Sequence, residues 1–128
     1  MGKDKVVAIV QSRLGSTRLP LKAFLNLHGK PLIDWTLERL AMATRLDGIV
    51  VAVPDTEMDA LLQKHGEAGG FRCVAGSEDD VLARFVLAAQ KANAGKIVRV
   101  CADNPLVWGE AVDRLVDFYG KNPCDYAY

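Results

Sequence analysis

Val6-Val7-Ala8-Ile9-Val10 is an unbroken apolar run close to the start of the chain. A strand with one wet face alternates apolar and polar residues, and this run does not, so it reads as a strand buried on both faces. A strand of that kind needs a parallel sheet with helices above and below it. Strand-like segments recur at Ile49–Val53, Phe71–Val74 and Lys96–Cys101. The stretches between them carry apolar residues at helical spacing: Leu32, Ile33, Thr36, Leu37, Leu40 and Ala41; Met58, Leu61 and Leu62; Val81, Leu82, Phe85, Val86 and Ala89; then Val112, Leu115, Val116 and Tyr119. Thr56 with Asp59 resembles a capping box, and Ser77 with Asp80 marks a further helix start. Strand and helix in regular turn predict an α/β fold, a three-layer, mostly parallel sheet joined by right-handed crossovers. The tail Cys124–Tyr128 reads as the start of another strand.

In such a sheet, ligands sit beyond the carboxyl ends of the strands. The chemistry is therefore to be sought in the loops Gln11–Lys22, Pro54–Thr56, Ala75–Asp80 and Ala102–Val107. Composition narrows it further. Lys+Arg and Asp+Glu both number 16, so no basic excess marks a nucleic-acid binder. The three cysteines, Cys73, Cys101 and Cys124, form no CxxC pair, which argues against zinc and a disulfide framework and for a reduced, cytoplasmic setting. Val6–Val10 is too short for a signal peptide's apolar region or a membrane helix. One domain spanning residues 1–128 is expected.

The loop after the first strand is the most informative. Arg13, Arg18 and Lys22 surround the Gly15-Ser16-Thr17 turn. Backbone N–H groups and hydroxyls bond phosphate oxygens there, and the cations offset their charge, which suits a triphosphate. A solvated basic loop fits the spacing equally well; the position after the first buried strand favours phosphate. GxxxxGK[ST] and GxGxxG are both absent. Asp103 follows the Lys96–Cys101 strand and is placed for a magnesium ion bridging phosphates. Alone it reads better as a turn former, and the basic loop at the same sheet edge strengthens the metal reading. Ser77 suits a helix cap better than a ligand contact, and Glu78, Asp79 and Asp80 suit favourable charges at a helix start. His28 and His65 lack metal-like spacing and read as surface residues. Trp35 falls on a core-facing helix, and Trp108 near the site edge reads as packing.

Together these residues resemble a known family. Val7 to Lys22 is similar to the opening signature of the sugar cytidylyltransferases, in particular the spore-coat polysaccharide type, and to the synthetases of CMP-linked keto-sugar acids. Gly29-Lys30-Pro31-Leu32, Gly76 to Arg84, and Val98 to Leu106 resemble the segments that follow, in the family's order. The resemblance implies a fold of the nucleotide-diphospho-sugar transferase type. It implies CTP held by Gln11, Ser12, Arg13, Gly15, Ser16, Arg18, Lys22, Ser77 and Cys101, with Arg13 and Lys22 as catalytic cations and Asp103 as a ligand of Mg2+. The implied reaction is attack by a hydroxyl of a sugar or sugar acid on the α-phosphorus of CTP, with release of pyrophosphate, in the cytoplasm and without a nucleic-acid or membrane partner. Leu21 stands where the family usually has Gly, Ala102 where Gly is common, and Trp108 where the spore-coat type often has an acidic residue. The family's chains run to about twice this length; the remainder carries much of the sugar pocket, a second metal-binding carboxylate and, commonly, homodimer contacts. The expectation is thus an N-terminal nucleotide-binding part. A non-catalytic nucleotide-binding module and a transferase using another base remain as alternatives.

Overall fold

The structure, a computed structural model, describes residues 4–128. Strand β1 (Val6–Gln11) leads through a long loop and a 3-10 turn (Lys22–Phe24) into a small hairpin, β2 (Asn26–Leu27) and β3 (Lys30–Pro31). Then come α1 (Leu32–Leu40), β4 (Gly48–Pro54), α2 (Asp59–Ala68), β5 (Arg72–Gly76), α3 (Val81–Lys91), β6 (Lys96–Cys101) and α4 (Gly109–Lys121). The four longer strands form one sheet in the order β5-β4-β1-β6, parallel throughout. This is the expected α/β architecture.

β1 is central for the reason its sequence suggests: Val7 to Val10 are at most 1 % exposed. Ala8 and Val10 face a core built with Val51, Val53, Ile33 and Leu37 of α1, Leu62 of α2 and Val112 of α4. Val7 and Ile9 face the opposite way, onto Val50, Ala52, Val74 and the α3 residues Phe85 and Ala88. The sheet is therefore covered on both sides, as parallel ladders require.

The chain builds outward from β1 through β4 to β5, then crosses back to lay β6 on the other side of β1. Strand order reverses between β1 and β6, and their carboxyl ends open a crevice there. The register pairs Gln11 with Cys101, so both strands end at one level.

Two expectations change. Cys124–Tyr128 form no strand; Tyr126 and Tyr128 are 72 % and 101 % exposed, with no neighbouring ladder to receive their backbone groups. The β2–β3 hairpin was not anticipated. Its turn is made by His28 and Gly29, both at positive φ (50° and 95°), a backbone that suits a two-residue hairpin loop. His28 is exposed, as expected. Among the described residues, no helix is long and apolar enough to cross a membrane.

Candidate functional site

A cleft of about 210 Å³ lies at the crevice between β1 and β6. Gln11, Ser12, Arg13, Ser16, Arg18, Lys22 and Ala23 line it from the first loop, and Cys101, Ala102 and Asp103 from the end of β6. Two of the expected site residues, Gly15 and Ser77, are not among the lining residues. The volume lies below the roughly 300–1,000 Å³ of pockets that enclose a drug-sized ligand. It has room for a polyphosphate, and the rest of a nucleotide would extend outside.

The first loop is long, yet it is tied down along its length. Ser12 N–H continues the ladder to Ala52 C=O at 3.1 Å. Leu14, fully buried, plugs the core beneath the loop. Its N–H donates to the Asp59 carboxylate at 2.7 Å, and its C=O accepts from Leu21 N–H at 3.0 Å. That second bond pinches the loop closed. Leu21 sits at φ 59°, ψ 24°, in the left-handed region. The chain then turns through the 3-10 segment, Ala23 is buried, and Phe24 meets the His65 ring edge-on at 5.3 Å. His65 is itself held by Asp34, Nε2 to Oδ1 at 2.6 Å. It is thus a half-buried buttress behind the loop, which the surface reading missed.

The opposite wall is equally fixed. Ala102 N–H donates to Gln11 C=O at 3.0 Å, and Ala102 C=O accepts from the buried Thr36 hydroxyl at 2.7 Å. Asn104 N–H closes the expected turn onto Cys101 C=O at 3.1 Å. Between these walls, Lys22 Nζ and an Asp103 oxygen stand 2.9 Å apart. Their side chains are 31 % and 49 % exposed, so the pair is open to solvent and worth only about 0–1 kcal/mol. A polyphosphate with its cation can exchange it cheaply. Gln11 Oε1 is buried at the cleft wall without a hydrogen-bond partner.

Among the described residues no group of three or more His, Cys, Asp or Glu converges on a metal position. Asp103 offers a single carboxylate, which matches the way magnesium is held by one or two protein oxygens together with substrate phosphates.

The sequence model of the cytidylyltransferase family matches residues 7–128. The chain belongs to the cytidylyltransferase family. It is 35 % identical to the spore coat polysaccharide biosynthesis protein SpsF of Bacillus subtilis, over 98 % of this chain and 54 % of that protein. Among solved structures, a cytidylyltransferase from Leptospira borgpetersenii superposes with a TM-score of 0.88 at 31 % identity, covering 93 % of this chain and 50 % of the other. A CMP:2-keto-3-deoxy-manno-octonic acid synthetase complexed with CTP superposes at 0.83 and 25 % identity, covering 94 % and 49 %. The chain spans about half the length of the curated relatives it matches.

Within this cytidylyltransferase fold the remaining sequence candidates fall outside the cleft. Ser77 does not cap α3. Asp80 does, its carboxylate accepting from Ala83 N–H at 2.9 Å, while the Ser77 hydroxyl accepts from Asp80 N–H at 3.0 Å and caps the preceding turn. Trp108 is half exposed beneath Arg114 rather than packed. Trp35 lies on α1 but is only partly buried; its Nε1 donates to Leu27 C=O at 2.6 Å and Lys30 covers its ring. Cys73 is remote from the cleft, and burial, helped by Glu67, pushes its thiol up to about 11.

Proposed function

We propose that this chain is the CTP-binding part of a sugar-activating cytidylyltransferase, with Arg13, Arg18 and Lys22 on the triphosphate and Gln11, Ser12, Gly15, Ser16, Ser77 and Cys101 around the nucleotide. The observation that carries the reading is the meeting of Lys22 and Asp103, 81 residues apart in sequence, inside a cation-lined cleft at the strand-order reversal. Asp103 would hold Mg2+, which would supply positive charge to offset that of the phosphates.

The reaction is transfer of CMP to a sugar or sugar-acid hydroxyl: an oxygen–phosphorus bond forms at the α-phosphate and the bond to pyrophosphate breaks. This chain's own contribution is positioning and charge. Arg13 and Lys22 sit where negative charge gathers on the phosphates, and they are held there by bonded backbone, so little reorganisation accompanies the reaction. The relatives named above support a sugar acid or a surface-polysaccharide sugar as acceptor, and the three free cysteines support a reduced, cytoplasmic setting. The sugar pocket is assigned to protein beyond this cleft, which is consistent with its small volume and with the half-length match. The same two observations favour, as a second reading, a nucleotide-binding module that does not turn over alone.

Calorimetric titration of the chain with CTP, UTP, GTP and ATP, each with and without Mg2+, tests the proposal. Magnesium-dependent preference for CTP is the expected result. Equal affinity for all four triphosphates, or none for any by a folded sample, refutes it.

A further inference from the structure

Two buried charged side chains do not line the cleft. Asp59, 4 % exposed, opens α2, and Arg84, 1 % exposed, lies in α3. Burying either charge is costly unless hydrogen bonds and opposite charges compensate. Their bonds run to loops at the sheet edge that carries the cleft. Asp59 Oδ1 accepts from Leu14 N–H at 2.7 Å across 45 residues, and its Oδ2 accepts from the Thr56 hydroxyl at 2.5 Å. Leu14 C=O in turn receives Leu21 N–H, next to Lys22. Asp59 thus anchors the point from which both Arg13 and Lys22 are set.

Arg84 does the corresponding task for the β5–α3 loop. Its Nε donates to Ser77 C=O at 2.9 Å and its Nη2 to Glu78 C=O at 3.0 Å, while Nη1 is buried without a partner. Gly76 permits this approach: a Cβ there would lie 3.1 Å from Arg84 Cγ and 3.4 Å from its Cα. Arg84 has no carboxylate at ion-pair distance among the described residues. Burial pulls its pKa below the ordinary guanidinium value and the Arg13 charge pulls the same way, with Asp59 opposing them.

We propose that Asp59 and Arg84 are buried positioning residues, Asp59 holding the triphosphate loop through Leu14 and Arg84 holding the Ser77–Glu78 turn. The assignment of ligand parts to these loops rests on the proposed CTP site; the loop-holding itself does not. Asp59→Asn keeps the shape of the side chain and an acceptor but removes the charge. Arg84→Met removes the charge and the fork at similar volume. Leu62→Ala, a fully buried α2 position, serves as a control that loses stability without removing a hydrogen bond to either loop.

Amide hydrogen exchange on the full chain without ligand reads the first effect. In Asp59→Asn, Leu14 and Leu21 amides should exchange about tenfold faster than in the parent after correction for global stability, as loss of a charge-assisted hydrogen bond implies. In Arg84→Met, the Asp80 amide, bonded to Ser77, should do so. Neither should change in Leu62→Ala. Titration with CTP·Mg and with CMP reads the second. Asp59→Asn should weaken CTP about tenfold and CMP little, whereas Arg84→Met should weaken both alike. If Arg84→Met does not fold, Arg84→Lys, which keeps the charge without the fork, should release the Asp80 amide and leave Leu14 protected. Unchanged local exchange in the variants, or local exchange that Leu62→Ala reproduces, overturns the inference. If the parent binds no nucleotide the CTP reading falls, and the exchange data alone still decide the loop-holding role.

Discussion

Leu21 occupies a backbone conformation that side chains resist, at the step that aims Lys22 into the cleft. With φ 59° and ψ 24°, its Cβ crowds the carbonyl oxygen, a cost of about 1–2 kcal/mol for an L-residue. Replacing it by glycine removes that cost but gives back about 0.4–1 kcal/mol through the greater freedom of the unfolded chain. Leu21 is 48 % exposed, so truncation forfeits roughly half of the ~2 kcal/mol that full burial of a leucine contributes, about 1 kcal/mol. These contributions nearly cancel for Leu21→Gly, whose stability should lie within about 0.5 kcal/mol of the parent. Leu21→Ala suffers most of the same truncation and keeps the strain, so it should be destabilised by about 1 kcal/mol.

The sign of the comparison is the test. At most positions alanine is the more stable of the two; here glycine should be better by about 0.5–1 kcal/mol. Urea unfolding of the three proteins at equal m-value gives both differences from the midpoints. An Ala variant as stable as the Gly variant, or more so, refutes the claim that residue 21 is strained. Titration of the Gly variant with CTP·Mg then asks whether the loop keeps its path: the Leu14–Leu21 bond uses only backbone atoms, so Lys22 should still reach the cleft and affinity should hold.

Lys22→Ala removes an exposed ion pair, so stability should change by less than about 1 kcal/mol while CTP affinity falls about tenfold or more, measured by unfolding and calorimetry on the same samples. Asp103→Asn should abolish most of the magnesium enhancement of CTP binding; an enhancement equal to the parent's would remove Asp103 as the metal ligand. Cys101 and Cys124, both exposed, should alkylate readily at pH 8, and Cys73 slowly, because burial first and Glu67 second raise its thiol to about 11; saturating CTP·Mg should protect Cys101 alone, as peptide mass analysis would show. Asp113 is held below the ordinary carboxylate range: burial works against this, but the N–H groups of Thr44 and Arg45 and the Thr44 hydroxyl outweigh it. A depressed carboxylate stabilises the fold above its unfolded pKa and loses that contribution as pH falls through the folded value. Melting temperature should therefore drop below about pH 4 less steeply in Asp113→Asn than in the parent, and parallel curves from pH 5 to pH 2 would exclude the effect.

β1 could be read from sequence because burial on both faces leaves an unbroken apolar run, and the other three long strands carry similar, weaker runs. The hairpin at Asn26–Leu27 and Lys30–Pro31 could not, since two residues per strand leave no period to detect. The cations and Asp103 were legible because their residue types declare their chemistry at loop positions. Asp59 was legible only by half. Thr56 Oγ accepts from Asp59 N–H at 3.1 Å, as the capping motif predicts, but the carboxylate turns away from the Thr56 backbone toward Leu14. A bond spanning 45 residues leaves no trace in local spacing. Arg84 did carry a signal: it falls on the inward stripe of α3, with Val81 three residues before it and Ala88 four after. Arginine is rarely buried, and periodicity arguments built on apolar residues pass over it.

The meeting of Lys22 with Asp103 depends on two separate facts, and only one could be foreseen. Parallel strands that end level deliver their following loops to one place, and Gln11 pairs with Cys101, so Asp103 stands two residues beyond the ladder beside Arg13. Which strand lies next to β1 on that side is decided by the crossover, not by β6's own residues. β6 is a half-exposed edge strand whose Ile97 is 47 % exposed, and its sequence alone would serve an outer position on either side. Lys22 then has to return eleven residues after β1 ends. It does so because Leu14 is pinned at its N–H by Asp59 and at its C=O by Leu21, which folds the intervening residues into a closed loop. The position of the lysine is thus set from beneath, by a buried carboxylate and a strained leucine. That is why substitutions at Asp59 and Leu21, neither of which lines the cleft, are more informative about how the cleft is held together than further changes among the cations themselves.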